Sequence, residues 1–163
     1  MKKLFFIIAI LSVSLSFSQA FTGSGDNKFQ VGANFQDGGT GLFVSYDFGI
    51  GENISLGLSS NYVLGLDNNI DANFDHRFDL RARFNANLGN VINIDENFDI
   101  YPGLSVGLKN FGGHLGARYF FTDGFGIFTE LNTPFAKYKT EDLTPQEELH
   151  NQFSLNIGAV FNL

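Results

Sequence analysis

Nine charged residues fall on the polar side of segments that otherwise alternate with apolar side chains: Asp47, Arg77, Asp79, Arg81, Arg83, Asp99, Lys109, Arg118 and Glu130. Five are positive and four negative, so their charges nearly balance. Side chains two apart along an extended strand share a face, so strands would gather these ions on one surface. Ions withdrawn from water persist only when paired and hydrogen-bonded. Such a surface has two uses. It can fill an enclosed space as a packed polar network, or it can line a narrow, gated conduit for protons or small solutes. Three histidines, His76, His114 and His150, complete the groups that titrate near neutrality. His114 shares the charged face, but no spacing of Ser, His and acid suggests a catalytic triad. We read no enzyme, no metal centre and no cofactor from these residues.

One loop places oxygen ligands at every second position: Asp67, Asn69, Asp71, Asn73 and Asp75. That spacing is similar to the start of a calcium loop. The turn glycine is missing at the sixth position, where Ala72 sits, and the twelfth holds Phe78 rather than a carboxylate. It is a solvated acidic loop, at most a weak site for a divalent cation.

The elements that must position these side chains are strands. Phe78, Leu80, Ala82, Phe84, Ala86 and Leu88 interleave with Arg77, Asp79, Arg81, Arg83, Asn85 and Asn87. The same alternation recurs over about eight segments, beginning near Lys28 and ending at Leu163. The turns between them include Asp37-Gly38-Gly39-Thr40, Asn110 to Gly112 and Thr122-Asp123-Gly124. Thr144, with Pro145 at the first position, is expected to start a single helical turn in the longest outer loop. Pro102 and Pro134 fall inside strand stretches and should mark a bulge or a strand end. In a soluble β-protein the oily face would be the core. Here the opposite face carries too many charges and glycines for an ordinary wet surface, so we read the protein inside out, with lipid around it. Aromatics fall at both strand ends. Phe29, Phe48, Phe98, Tyr119, Phe125 and Phe161 lie at the inner rim, and Phe35, Tyr62, Phe78, Phe111 and Phe153 at the outer, as two girdles would.

Composition agrees. Met1-Lys2-Lys3, an apolar stretch and a small-residue region near Ser18 to Ala20 form a secretory signal peptide over residues 1–19. Residues 20–163 then make one domain. Loss of Lys2 and Lys3 would take the formal charge from −7 to −9, which argues against nucleic acid as a partner. The absence of cysteine excludes disulfides and a lipid anchor on a lipobox. Membrane insertion without a long apolar helix requires a closed barrel.

The signal, the eight amphipathic strands and the end Phe161-Asn162-Leu163 resemble the small eight-stranded outer-membrane barrels of the OmpA/OmpX type. Stretches such as residues 28–39 and 119–126 look like an uncharacterised family within that class, which offers no activity to carry over. Acyl-chain-removing barrels of the class use His and Ser near the lipid face, whereas His114 is expected to face inward. The resemblance implies residence in the outer membrane of a Gram-negative envelope. It also implies contact with membrane lipid and lipopolysaccharide, and reading of the C-terminal strand by the barrel-insertion machinery. The expectation is an all-β, closed, antiparallel eight-stranded transmembrane β-barrel, a monomer with a side-chain-filled interior and a structural or surface-interaction role. The alternatives are a conduit for small or hydrophobic solutes and a soluble periplasmic barrel of the lipocalin kind.

Overall fold

The computed structural model describes residues 19–67, 70–141 and 143–163. The signal peptide read from the sequence lies outside the described residues, apart from Gln19. Eight strands follow in order: β1 (Asn27–Gln36), β2 (Gly39–Gly49), β3 (Ile54–Leu66), β4 (Phe78–Ala86), β5 (Phe98–Gly107), β6 (Asn110–Thr122), β7 (Phe125–Lys137) and β8 (Ser154–Asn162). Each pairs antiparallel with the next, and β8 returns to β1, so the sheet closes into a barrel. Single helical turns, α1 (Phe74–Arg77), α2 (Gly89–Ile92) and α3 (Pro145–Glu148), sit in three of the connections.

The alternation in the sequence becomes an inside and an outside. On β4, Asp79, Arg81, Arg83 and Asn85 are buried while Leu80, Ala82 and Phe84 face out. On β2, Ser45 and Asp47 are buried between exposed Leu42, Val44, Tyr46 and Phe48. Leu58, Val106 and Ile127 each leave more than half of their surface open. Leaving apolar area in water costs roughly 25 cal/mol per Å². A continuous belt of this kind therefore marks a surface that meets something other than water.

Rings meet one another at both rims. Tyr119, Phe121, Phe125, Phe161 and Phe29 form a chain around the inner end, with neighbouring centroids 5.6 to 6.3 Å apart. Tyr62, Phe74 and Phe78 meet at 5.5 and 5.6 Å on the outer side, and Phe111 meets Phe135 at 6.0 Å. Phe74, Phe121 and Phe135 thus join the rings expected from sequence.

The prolines sit where their missing N–H is tolerated. Phe111 pairs with Ala136 and Gly112 with Pro134, so Phe135 is the extra residue of a bulge. The β4–β5 ladder stops at Asn85 opposite Gly103, next to Pro102. The first turn is tighter than expected, because Gly39 and Thr40 already pair as part of β2, and another turn is displaced altogether. Asn110 to Gly112 belong to β6, and the reversal falls on Leu108 and Lys109. The reason is that Asn110 points inward and bonds the outer loop, donating to the His150 carbonyl at 2.7 Å. That contact extends the strand to the rim.

The closing seam depends on two facing glycines, Gly32 of β1 and Gly158 of β8. A Cβ on Gly32 would lie 2.3 Å from the Ile157 carbonyl oxygen, and one on Gly158 would lie 2.4 Å from the Gly32 Cα. Only glycine allows the two backbones to approach so closely across the seam.

Candidate functional site

Seven of the nine charged residues meet inside the barrel: Asp47, Asp79, Arg81, Arg83, Asp99, Arg118 and Glu130 are all buried. Arg83 donates from Nη2 to Glu130 at 2.7 Å and from Nε to Asn85 at 3.2 Å, and its Nε lies 3.2 Å from Asp47. Arg118 donates from Nη2 to Asp99 at 2.7 Å and to Asn87 at 2.8 Å. Arg81 donates to Asp79 at 2.5 Å. Strand parity explains the grouping: every one of these positions faces the axis, and closure brings β4 opposite β7.

Tyr101 lies between the two arginines. Its ring centroid is 4.8 Å from the Arg118 guanidinium carbon and 5.8 Å from that of Arg83. A planar guanidinium stacks on an aromatic face at little desolvation cost, which suits an ion that must sit away from water. The Tyr101 hydroxyl accepts from Gln30 at 3.0 Å, and Gln30 accepts from Ser45 at 2.8 Å. His114 and Asn85 approach at 2.6 Å. Pairing is incomplete: the Asp47 carboxylate oxygens, the Ser105 hydroxyl and two Arg118 nitrogens carry no hydrogen bond among the described residues.

Arg77 and Lys109 lie elsewhere. Arg77 ends α1 and donates to the carbonyls of Ala72 and Leu64, tying the β3–β4 connection to the rim. The chain leaves the strand before the parity count reaches it. Lys109, in the β5–β6 turn, is half-buried at the outer mouth. Of the cation loop, Asp67, Asp71, Asn73 and Asp75 are exposed, and Asn69 lies outside the described residues.

Sequence reasoning missed interior members of two kinds. Gln30 and Asn34 share the parity of the charges and are as buried as Asn85, Asn87 and Asn156, which the alternation already sets on that face. Counting uncharged polar residues along with the ions would have found them. Phe43, Phe120 and Val160 also point inward and form an apolar cluster with Ala20 and with Phe128, which the alternation with Ile127 and Thr129 already sets on the inner face. A rule that sends apolar side chains outward hides the first three.

Each end of the barrel is covered. At the inner end the segment before β1 turns inward. The Ala20 N–H donates to the Glu96 carbonyl at 2.7 Å, and Asn90 donates to the Phe21 carbonyl at 2.8 Å. The buried Phe21 ring lies 5.9 Å from the Arg118 guanidinium and 6.0 Å from the Lys28 ammonium, which also pairs with Asp26. At the outer end the β7–β8 connection places buried Leu149, His150 and Asn151 across the mouth. Gln36 donates to the Leu149 carbonyl, and Arg81 donates to that of His150 at 3.3 Å. Thr144 and Glu147 form a reciprocal cap on α3, as the Thr-Pro start suggested. Hydrogen bonds from Lys139 and from Thr144 hold the Glu147 carboxyl down at about 2. A cleft of about 310 Å³ remains beside this connection, with Lys109, Tyr138, Lys139, His76 and His150 among its walls.

The fold has counterparts among solved structures. One, described as "De novo design of transmembrane beta-barrels", superposes with a TM-score of 0.59 at 9% identity, covering 87% of this chain and 98% of that one. The "Solution NMR structure of Outer Membrane Protein G from Pseudomonas aeruginosa" gives a TM-score of 0.49 at 10% identity, over 88% of this chain and 99% of that one. The first likeness shows the fold alone, which resembles that of membrane-spanning barrels. A family model described as "Family of unknown function (DUF6646)" matches residues 11–163. No curated protein matches the sequence.

Proposed function

We propose that this chain, which belongs to that family of unknown function, is an integral outer-membrane β-barrel whose role is structural or surface-interactive. The observation that carries this reading is the reversal of faces: exposed leucine, valine and phenylalanine outside, buried arginine, aspartate and glutamate inside. A bilayer demands that arrangement, and water opposes it. Its environment would be outer-membrane lipid and lipopolysaccharide, reached by a cleaved signal peptide and insertion through the C-terminal strand. We take it to act as a monomer. The lipocalin-like alternative requires the opposite polarity of the two faces.

The test is gel mobility of membrane-extracted protein with and without boiling, together with fractionation. A band that shifts on heating and travels with the outer membrane is expected. A soluble protein without a shift would overturn the membrane assignment.

The filled interior supports a plug rather than a conduit. Stacked Arg83, Tyr101 and Arg118 occupy the centre, and Phe21 and Leu149 lie toward the two ends. An eight-stranded barrel is just wide enough for side chains to fill. Planar bilayers containing the pure protein should therefore stay silent. Stepwise conductance would instead establish the conduit.

A further inference from the structure

We propose that the cleft at the outer mouth binds a phosphate group, held between Lys109 and His150. The cleft lies between the β3–β4 connection, the β5–β6 turn and the β7–β8 connection, and its volume of about 310 Å³ exceeds what a bare phosphate fills. It is of a size for a phosphorylated sugar.

Its charges sort into spent and unspent. Lys139 is engaged by Glu147 at 2.7 Å, and Glu147 is further satisfied by Thr144, so this pair adds no net charge. Asp79 and Arg81, beneath the cleft on β4, pair with each other at 2.5 Å. Of the described carboxylates in the walls of the cleft, Asp75 is the one left to oppose an anion. It is largely exposed, 3.8 Å from His76, and so is screened by solvent. Lys109 has no ion-pair partner among the described residues and is half-buried in the wall. Among the described residues of the cleft it is the uncompensated cation.

A second observation is independent of charge. His150 is 4% exposed, and its Nε2 has no hydrogen-bond partner among the described residues. The His76 Nδ1 on the facing connection is likewise buried and unbonded. A buried polar atom left without a partner is costly, and a site that presents two beside a free ammonium lacks a polar ligand. Burial holds the His150 imidazole below its ordinary value. An oxyanion that shares one proton with Nε2 while accepting from Lys109 satisfies both groups. Phosphate does this in either of its ionised forms, because one carries the proton and the other receives it. The phosphate has two sources, the headgroup of an outer-leaflet lipid or a solute. The lipid source alone rests on the membrane reading above.

The experiment uses the whole chain, isotopically labelled at histidine, and follows the His150 imidazole by NMR. In detergent, inorganic phosphate is the probe. In bilayer discs, a bis-phosphorylated glycolipid is compared with its dephosphorylated form. A saturable His150 shift is expected, weakened at least tenfold in Lys109→Gln and unchanged in Lys137→Gln, whose lysine lies outside the cleft. A shift with inorganic phosphate alone assigns a solute, and a shift with the phosphorylated lipid alone assigns the headgroup. No saturable shift with either probe, or equal binding by Lys109→Gln, overturns the proposal. Heat-shifted gel mobility of each sample keeps loss of the barrel distinct from loss of the site.

Discussion

Leu58→Arg is expected to cost about 2–4 kcal/mol of folding stability in a bilayer and to keep the protein out of its heat-modifiable form. Leu58 leaves 57% of its surface open and pairs with Tyr46 on one side and Ala82 on the other, near mid-height of the wall. In the proposed membrane setting a guanidinium there would face hydrocarbon, with no carboxylate among its neighbours on that face. Urea titration of protein folded into phosphatidylcholine vesicles measures the cost. Leu58→Phe serves as the control, because it keeps the surface apolar. If Leu58→Arg folded as well as the parent in vesicles, the oily face would not be the lipid face.

Arg83→Met is the second large effect, at about 3–5 kcal/mol in the same titration. The substitution roughly keeps the volume and removes the cation between Asp47 and Glu130, whose side chains are each 1% exposed. Two carboxylates then remain in a closed space without their countercharge. Adding Glu130→Gln to Arg83→Met should recover part of the loss, because one orphaned charge disappears. Arg77→Met should sit within about half a kcal/mol of the parent, since Arg77 bonds only two backbone carbonyls, of Ala72 in the connection and of Leu64 near the end of β3, at the half-exposed rim. Equal effects of the two arginine substitutions would show that the interior ions contribute through their bulk rather than their charge.

The difference between Arg77 and Arg83 also marks how far the sequence could be read. A period of two is a strong signal over β4: it puts Asp79, Arg81 and Arg83 on one face, and all three are buried. It cannot say where a strand ends. Arg77 and Lys109 both continue the parity of their segments, and both fall just past the last paired residue, in α1 and in the β5–β6 turn. Strand ends are decided by what the rim residues find to bond, as Asn110 does with the outer loop. The closed eight-stranded form followed from count and alternation. The coverings at each end did not, because Phe21 and His150 lie outside any periodic segment and are buried by contacts with distant strands. Phe43 and Phe120 were illegible for another reason. In a space this narrow, filling volume competes with polarity, and Phe43, Phe120 and Phe128 fill it.

The seam between β1 and β8 has a consequence for how the molecule comes into being. Lys28 and Asn162 touch across it although 134 residues separate them along the chain. Neighbouring strands can pair as soon as each short turn is made. The closing pair must wait for the last segment synthesised, and it carries the largest entropy of loop closure in the molecule. Until then the sheet has two bare edges and an uncovered apolar surface, the features that drive chains to pair with one another. For a chain bound for a membrane, as proposed above, delivery would thus be a race between closure and aggregation. A chain cut short before Ser154 would enter that race unable to finish, as an open ribbon and not a smaller barrel.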